Sequence, residues 1–316
     1  MVKRKDIHFR ICEELLERFD AALTYEGLNK TEVLTHAIRN FCTQVEAQKI
    51  HDVKRQYTVS DYLQVRIDTH MKYEEKKVDL EQNVIFQLQL TGNEKILDIG
   101  CATGKFLITL QQQRHQGLLT GLDQSPTMIQ EAKENSKNTK KPIEWVVGDA
   151  TKLPFPYNFY DWVIARHMLY HVPDVEKTIR GFKNIIRSDG GFLATTNSYA
   201  SLPRIEDMCN RMLLAFELPE KLPTASPFCL ENGKELLSAV FPIVEETVIH
   251  NSLLFHESAP IINYIASMFP SLNIPDDFSL HTEMKKWLQV EIEQDLSHHN
   301  GIWRDPKAVA VYRCRK

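Results

Sequence analysis

A short turn in the first third of the chain combines residue types that suit the binding of a charged ligand. An apolar run ends in Asp98, and small residues then stand at every second position: Gly100, Ala102 and Gly104. Residues without bulky side chains let the backbone approach a ligand closely, and the free N–H groups of a helix N-terminus favour negative charge. Because helical spacing resumes directly after the turn, the segment predicts a nucleotide-type site of an open α/β sheet.

A second acidic residue follows after a helix-length interval, at the end of the next apolar run. Residues 117–126 predict a short strand that ends in Asp123, with Pro126 at the start of another helix. An acid at the end of the second strand is well placed to accept hydrogen bonds from a ribose diol. The alternative is a helix cap or a surface turn, because aspartate favours helix N-caps in any fold.

The order of these motifs resembles that of class I methyltransferases that depend on S-adenosylmethionine, whose first motif reads acid-x-Gly-x-Gly-x-Gly. Ala102 departs from this pattern, and its methyl group leaves the backbone slightly less free to approach a ligand. The resemblance covers roughly residues 60–200, and within this class the pattern looks most like that of the UbiE-like group. It implies a doubly wound, Rossmann-like α/β sheet of seven strands, with S-adenosylmethionine as the cofactor.

The resemblance also implies which residues hold the cofactor. Asp149 would hold the adenine amino group, and Ala150 would offer a backbone N–H. In related methyltransferases a segment before the first strand folds over the cofactor, so Tyr73 and His70 are candidates for such a lid. Packing is the alternative for both rings, because amphipathic aromatic side chains pack well with one polar end free. The cofactor residues implied in this way are Asp98, Gly100, Ala102, Gly104, Asp123, Gln124, Asp149, Ala150, Arg166 and Tyr73.

Methyl transfer at such a site needs few catalytic groups from the protein, because the sulfonium of the cofactor is already a good leaving group. The protein must align a nucleophile with the methyl carbon, exclude water and in some cases take a proton. His167, Tyr170 and His171 lie just past the fourth predicted strand, where an open sheet presents groups to its ligand. A histidine there can act as a base near neutral pH. The alternative is that all three residues pack at a helix start.

The sequence leaves three classes of acceptor open. Residues 165–168 read Ala-Arg-His-Met and so lack the Asn/Asp-Pro-Pro-Tyr signature of enzymes that methylate exocyclic amines of nucleic-acid bases. This favours a small-molecule acceptor. The alternatives are a DNA-binding regulator that uses the methyltransferase fold as a sensor of S-adenosylmethionine, and an RNA methyltransferase. The histidines and cysteines lack the spacing of a metal site, so no metal is expected.

Alternating strands and helices must position these residues, as in a parallel, doubly wound sheet. A long helical segment is expected before the first strand, and two more strands are expected after the cofactor-binding core. The further predicted strands cover 143–147, 160–165, 192–196, 244–255 and 308–314, the predicted helices cover 61–90 and 175–186, and a turn is predicted at 188–191.

The start of the chain follows a different pattern. Residues 6–11 alternate between polar and apolar side chains, which predicts one strand with one apolar face. Two helical patterns follow, and Asn29 is expected to cap the second. One strand and two short helices cannot close a core alone, so the strand is expected to pair with its copy in a second chain.

Residues 3–45 resemble ribbon-helix-helix domains of the Arc-repressor type, whose dimers place a two-stranded ribbon in the DNA major groove. The resemblance implies a homodimer formed through residues 1–46 and contacts with double-stranded DNA. Four basic residues in the first ten support such contacts, whereas Asp6 would repel phosphate, so dimerisation alone is the alternative. The implied DNA-binding residues are Arg4, Asp6, His8 and Arg10 on the ribbon, and Asn29, Lys30 and Thr31 at the second helix.

The bulk composition fits about two domains of ordinary size. The 316 residues carry a net charge of -4, and no apolar run approaches the length of a membrane span. No secretory signal is visible and the 6 cysteines are scattered, so a cytoplasmic protein without membrane contact is expected. The predicted domains are a ribbon-helix-helix domain (1–46), a linker (47–60) and a methyltransferase domain (61–316), which comprises lid helices (61–90), a cofactor-binding core (91–198) and substrate-cap insertions (199–240 and 256–300).

Overall fold

A computed structural model of the chain describes residues 13–26, 29–31, 33–35, 37–38, 60–219 and 226–316. The chain divides into two compact units, Met1–His51 and Asp52–Lys316. In the parts of the chain that are described, no helix is both long and apolar enough to cross a membrane.

The N-terminal unit contains a helix, α1 (Glu13–Glu26), followed by a second helical stretch. Asn29 precedes that stretch, and its side-chain Oδ1 accepts a hydrogen bond of 2.8 Å from the backbone N–H of Thr31. Its carbonyl oxygen accepts a second bond, 3.0 Å long, from the N–H of Val33. Asn29 therefore caps this stretch as the sequence predicts.

Lys30, near which the backbone N–H groups are predicted to hold a phosphate, has its ammonium paired inside the same unit. Its Nζ lies 2.7 Å from the carboxylate of Asp20, and both side chains are about half exposed, at 47% and 52%. A pair so open to water contributes at most about 1 kcal/mol. The predicted strand over 6–11, with Arg4, Asp6, His8 and Arg10, lies outside the described residues.

The larger unit alternates helices and strands. Its helices are α2 (Ser60–Tyr73), α3 (Leu80–Leu88), α4 (Lys105–Gln112), α5 (Pro126–Asn135), α6 (Val175–Ile185), α7 (Pro203–Ala215), α8 (Leu230–Ser238), α9 (Ser258–Ala266) and α10 (Phe278–His298). Its strands are β1 (Ile96–Ile99), β2 (Leu119–Asp123), β3 (Glu144–Val147), β4 (Tyr160–Arg166), β5 (Ile186–Asn197), β6 (Ile243–Phe255) and β7 (Trp303–Arg315). Two short 3-10 turns, Leu169–His171 and Phe269–Leu272, complete it.

The seven strands form one sheet in the order β3-β2-β1-β4-β5-β7-β6. Strands β1 to β5 are parallel, as the alternation of elements predicts, whereas β7 runs antiparallel to both β5 and β6. The strand order reverses between β1 and β4, where Ile99 lies beside Ala165. In open α/β sheets the ligand crevice lies outside the carboxyl ends of the strands at such a switch point.

Alternate residues of the central strands bury their side chains on opposite faces of the sheet, which explains their unbroken apolar sequences. In β1, Leu97 and Ile99 belong to one hydrophobic cluster, whereas Ile96 belongs to another. Strand β4 divides in the same way, with Val163 in the first cluster and Ile164 in the second. Helices α6 and α8 contribute to the first cluster, and α3 and α4 contribute to the second.

A third cluster lies apart from these two faces. It joins α7, α9 and α10 to Phe255 at the end of β6 and to Trp303 at the start of β7. These helices come from the two segments predicted as substrate-cap insertions. Helix α8 lies in the first of those segments too, but its Leu237 packs against the central sheet.

The segment 61–90, predicted as lid helices, contains two helices, α2 and α3. Glu74 forms a β-bridge with Leu253 of β6, so the chain after α2 is extended and cannot continue the helix. Asp79 then starts α3, because its side chain accepts a hydrogen bond of 2.9 Å from the N–H of Gln82.

Strand β5 begins earlier than expected, and the predicted turn at 188–191 lies inside it. Tyr160 pairs with Ile186 and Trp162 pairs with Gly191, so the register of β5 shifts between them. The residues that predict a turn therefore form an irregular bulge within β5. The extra residues of the bulge lie between Ile186 and Gly191, and they include Gly190.

Strand β7 also begins earlier than the predicted residue 308. Its pairing with β5 ends at Asn197 and Val309, but its pairing with β6 continues to Phe255 and Trp303. Pro306 thus lies where β7 has one open side, a position that tolerates a residue without a backbone N–H.

The carboxylate of Asp305 caps α7 from a distance. Leu202, which occupies the N-cap position, makes no side-chain hydrogen bond. Asp305 is fully buried and accepts hydrogen bonds from the backbone N–H groups of Arg204 (3.1 Å) and Ile205 (2.8 Å). It thereby fixes the first turn of α7 to β7.

We expect Asp305→Ala to lower the free energy of unfolding by about 2–4 kcal/mol, because two helix N–H groups lose their partner in a buried place. The matched control is Asp277→Ala, which removes an exposed cap from α10 and should cost about 1 kcal/mol. Urea unfolding at neutral pH measures both. Equal losses in the two variants would contradict the proposed cap.

Candidate functional site

The turn after β1 consists of backbone conformations that favour small residues. Gly100, Ala102 and Gly104 have φ angles of +71°, +47° and +78°, so alternate residues are left-handed. A non-glycine residue pays roughly 1–2 kcal/mol in this region. The spacing of small residues is therefore a requirement of the turn, and Ala102 occupies its position under strain.

Space around the turn imposes a second requirement. A Cβ atom built on Gly104 would lie 2.3 Å from Cη2 of Trp145, and one on Gly100 would lie 2.9 Å from Cβ of Met168. These neighbours come from β3 and from the segment after β4. The two glycines thus let the turn lie close against the rest of the site, independently of any ligand.

Asp123 ties the end of β2 to this turn. Its Oδ2 accepts a hydrogen bond of 3.0 Å from the N–H of Ala102, and its Oδ1 accepts one of 2.9 Å from the N–H of Ser125. Burial raises the pKa of Asp123, against the effect of these backbone N–H groups. Ser125, not Asp123, caps α5. Each carboxylate oxygen keeps a further lone pair for a ligand.

Asp98 and Arg166 form an ion pair at the carboxyl ends of β1 and β4. Nη2 of Arg166 donates a hydrogen bond of 3.0 Å to Oδ2 of Asp98, which has no exposed surface. Burial raises the pKa of Asp98, and the Arg166 guanidinium opposes this. Arg166 also stacks on the ring of Phe106, 4.2 Å from its centroid.

The pair leaves two buried polar atoms without a partner. These are Oδ1 of Asp98 and Nε of Arg166. A buried polar atom that lacks a hydrogen bond costs about 1–3 kcal/mol, so its presence at a crevice calls for an explanation. A ligand with one cationic and one anionic group matches this donor and acceptor.

The remaining predicted cofactor residues follow β2, β3 and α2. Gln124 and Asp149 are exposed, and Oδ1 of Asp149 accepts hydrogen bonds of 2.8 Å from both the N–H and the hydroxyl of Thr151. Ala150 is half-buried against the first cluster. Tyr73 packs on Phe255, 4.9 Å between ring centroids, so its observed contact is one of packing. Contacts of these residues with a cofactor stay predictions.

The residues just past β4 line the same edge of the sheet. His167 has a φ of +50°, and its N–H donates a hydrogen bond of 2.9 Å to the carbonyl of Thr195 in β5. Tyr170 and His171 follow in a 3-10 turn with their rings 4.4 Å apart. Burial lowers the pKa of His167 and of His171 to about 4, with nearby Arg166 and Arg66 acting in the same direction.

A cavity of about 240 Å³ opens beyond the end of β5. Its lining includes Asn197, the last residue of β5, the following Ser198, and His70 from α2. Lys307 of β7 and Tyr264 of α9 also line it, together with the polar residues Tyr199, Ser201, Glu206 and Asn210. Nε2 of His70 lies 3.3 Å from the Tyr264 hydroxyl, and its Nδ1 lies 2.9 Å from the Lys307 ammonium.

Sequence reasoning missed Lys307, Tyr264 and Asn197. Lys307 and Tyr264 belong to segments that are distant in sequence and meet only through the packing of α9 and β7 around α2. No local sequence pattern therefore predicts them. Asn197 was within reach, because the residue after the fifth parallel strand lies on the same edge as the residues after the first four.

No cluster of three or more histidine, cysteine, aspartate or glutamate side chains suited to a metal occurs within the described ranges. Cys101, in the turn, is buried, and burial raises the pKa of its thiol. A buried thiol of raised pKa is a poor nucleophile, so Cys101 packs rather than reacts.

Known proteins match the same strands. Residues 97–194 match the protein family described as methyltransferase domain. Over 155 residues the chain is 26% identical to the demethylmenaquinone methyltransferase of Staphylococcus saprophyticus, a match that covers 49% of this chain and 65% of that protein. Over 139 residues it is 29% identical to that of Staphylococcus haemolyticus, covering 44% of this chain and 57% of that protein. The chain thus spans less than two thirds of the length of these relatives.

Solved structures share the fold. A candidate methyltransferase from Bacillus halodurans superposes with a TM-score of 0.52 at 15% identity, covering 75% of this chain and 98% of that one. The YcgJ protein of Bacillus subtilis gives a TM-score of 0.51 at 17% identity, covering 75% and 97%. These likenesses establish the fold alone. The family match adds that residues 97–194 are similar to a methyltransferase domain.

Proposed function

We propose that this protein transfers the methyl group of S-adenosylmethionine to a small-molecule acceptor. The observation that carries the proposal is the buried pair of Asp98 and Arg166, with its unpartnered oxygen and nitrogen, at the switch point of the sheet. The amino-acid end of S-adenosylmethionine carries one ammonium and one carboxylate. Asp98 suits the ammonium and Arg166 suits the carboxylate, since each would satisfy an atom that otherwise has no partner.

The rest of the cofactor fits the same edge of the sheet. Asp123 has free lone pairs for the ribose hydroxyls, and Asp149 follows β3 in the place where the resemblance puts the adenine amino group. The left-handed turn from Gly100 to Gly104 gives the backbone close access. When bound, S-adenosylmethionine supplies a methyl group on a positively charged sulfur, and these residues hold and orient it.

The histidines past β4 are the proposed bases. His171 is the first candidate, with His167 and Tyr170 beside it, because all three follow the strand that carries Arg166. Burial and nearby cations lower the pKa of His167 and of His171 to about 4, so both rings are neutral at pH 7. The lowered pKa also makes them weak bases, so they suit an acceptor that becomes acidic as it gains the methyl group.

A small acceptor suits the cavity beyond β5. At roughly 30 Å³ for each water in the liquid, 240 Å³ corresponds to about eight waters, or one compact organic molecule. The relatives' names point the same way, because demethylmenaquinone is a small molecule rather than a nucleic acid. A wide groove for RNA has no comparable support.

A further part of the proposal concerns the role of the N-terminal unit. We infer that residues 1–46 join two copies of the chain, with DNA binding as a second role. The capped helical stretch after Asn29 and the separation of Met1–His51 as a compact unit agree with such a module. The proposal includes that this domain is of the ribbon-helix-helix type.

Asp98→Asn and Asp123→Asn should each weaken the binding of S-adenosylhomocysteine by tenfold or more, because each removes a charged acceptor from the cofactor site. Isothermal titration calorimetry measures the affinity. The matched control is Asp161→Asn: Asp161 also accepts a backbone hydrogen bond, 2.7 Å from the N–H of Lys95, but at the opposite end of the sheet. If the control loses as much affinity as the site variants, the proposed site is wrong.

The three histidines of the site make stability depend on pH. Burial and nearby cations lower the pKa of His70 to about 3 and those of His167 and His171 to about 4 in the folded protein. Between pH 4 and 6.5 each of these rings binds more protons in the unfolded chain, so its contribution to stability falls on acidification and is level above about pH 7.

From pH 7 to pH 5.5 each of these histidines should cost roughly 1 kcal/mol, or about 3 kcal/mol together. Urea unfolding at the two pH values measures the loss, and His171→Gln should reduce it by roughly 1 kcal/mol. His256→Gln, at an exposed position, serves as the control. A loss below about 1 kcal/mol in the wild type would show that the histidines are not held neutral.

Analytical ultracentrifugation of the full chain should find a dimer at micromolar concentration, and titration with mixed-sequence duplex DNA should show affinity that falls steeply with salt. The double variant Arg4→Gln and Arg10→Gln should weaken DNA binding and leave the dimer intact, because these side chains are predicted to face the groove. A monomer would refute the dimer proposal, and a dimer without DNA affinity would leave dimerisation as the role of this unit.

A further inference from the structure

A chain of hydrogen bonds fixes the protonation of His70. The Lys307 ammonium has only donors, so Nδ1 of His70, 2.9 Å away, must be the acceptor and carry no proton. Burial and the cations Lys307 and Arg66 lower the pKa of His70 to about 3, so the ring is neutral at pH 7 and its proton is on Nε2. Nε2 then donates to the Tyr264 oxygen, 3.3 Å away.

Two hydrogen-bond donors, on Tyr264 and Lys307, are not used by the hydrogen bonds among Lys307, His70, Tyr264 and Glu74. Because its oxygen accepts from His70, the Tyr264 hydroxyl keeps its own hydrogen for another partner, and burial raises the pKa of Tyr264 to about 12, so it stays protonated. The Lys307 ammonium has three N–H groups, of which one meets His70 and one meets the carboxylate of Glu74. Tyr264 and Lys307 line the same cavity.

Two cations, Lys307 and Arg66, act on the residues of this cavity. Arg66 and Lys307 lower the pKa of His70, and Arg66 also lowers that of His171, so both cations act on this side of the cavity. Lys307 is 10% exposed and its partner Glu74 is 14% exposed. Of the other carboxylates, Glu206 also lines the cavity but is exposed to water, whereas Asp305 is engaged at the start of α7.

Part of the lining is apolar. Leu202, Ile205, Met268 and Leu272 form this part, from the start of α7 and the segment after α9. With a volume of about 240 Å³, the cavity holds a body of about one ring beside a charged group.

The cavity adjoins the cofactor edge of the sheet. Asn197 and Ser198 in its lining continue β5, and β5 pairs with β4 through Arg166 and Thr195. Lys307 also contributes to the lowered pKa of His167, the residue directly after β4. A molecule in this cavity therefore lies beside the residues that hold the methyl donor.

We propose that the acceptor is a small organic acid whose carboxylate is bound by Lys307 and by the Tyr264 hydroxyl, with its apolar body against Leu202 and Met268. The inference rests on the proposed methyl transfer and names the chemical class of its acceptor. His70 acts as a positioning residue, because its neutral ring directs the Tyr264 hydroxyl hydrogen toward the ligand.

The test uses benzoate and benzamide, which have the same size but differ in charge. Their binding to the full-length protein, with S-adenosylhomocysteine present, is followed by NMR titration. Benzoate should bind at least tenfold more tightly than benzamide, because a charged hydrogen bond is worth about a factor of ten or more. Equal affinities, or no benzoate binding at millimolar concentration, would overturn the proposal.

Paired variants test the residues. Lys307→Met combined with Glu74→Gln removes the buried ion pair without leaving a lone charge, and should weaken benzoate binding at least tenfold. The matched control is Arg304→Gln with Glu75→Gln, an ion pair between the same two segments that does not line this cavity. It should change the affinity less than twofold.

Tyr264→Phe keeps the ring and removes the hydroxyl, and should weaken benzoate several-fold with little effect on benzamide. If the Lys307 and Tyr264 variants bind benzoate like the wild type, the carboxylate site is refuted. Calorimetry with S-adenosylhomocysteine on the same samples separates the two proposals. Failure of that ligand alone would refute methyl transfer, whereas the benzoate results still decide the anion site.

Discussion

The ion pair between Asp98 and Arg166 is the interaction on which the account of this protein depends. A buried ion pair gains little stability over an apolar pair of the same size, because desolvation offsets the attraction between the charges. This pair contributes less to stability than one whose polar atoms are all hydrogen-bonded, since Oδ1 of Asp98 and Nε of Arg166 have no partner. Its position at the sheet's switch point, rather than any contribution to folding, therefore explains why both charges are there.

The architecture brings the pair together through strand order. Because β1 and β4 are neighbours and parallel, their last residues meet at one edge although they are far apart in sequence. Strand β2 adds Asp123 to the same edge, and Asp123 holds the left-handed turn through the N–H of Ala102. The turn, the ion pair and the second carboxylate are thus consequences of one parallel register.

A second set of contacts positions α2 over the end of the sheet. Asn251 of β6 accepts a hydrogen bond of 3.0 Å from the N–H of Lys76 and donates one of 2.8 Å to its carbonyl. Two ion pairs join the same linker to β7, through Glu74 and Glu75. This arrangement places His70 beside the cavity beyond β5, so the linker between α2 and α3 helps to shape that cavity.

The sequence predicts the turn after β1 and the end of β2 because their determinants are local. The spacing of Gly100, Ala102 and Gly104 reflects alternate left-handed residues, and a strand that ends in Asp123 can be identified from a few neighbours. The place at which 61–90 divides into two helices was not predictable in this way, because it depends on pairing with a strand near residue 253.

The polar residues of the cavity beyond β5 were not predicted for the same reason. Lys307 lies in the last strand and Tyr264 in a helix of the third cluster, and only tertiary packing brings them to His70. The strain at Ala102 also needed the backbone angle, since the sequence alone shows a small residue in place of glycine.

A crystal structure of the protein with S-adenosylhomocysteine tests the central claim most directly. The account predicts that the ribose hydroxyls lie within hydrogen-bonding distance of Asp123, that the amino-acid end meets Asp98 and Arg166, and that the sulfur faces the cavity lined by Lys307. A ligand bound elsewhere, or one whose amino-acid end leaves the ion pair untouched, would contradict it.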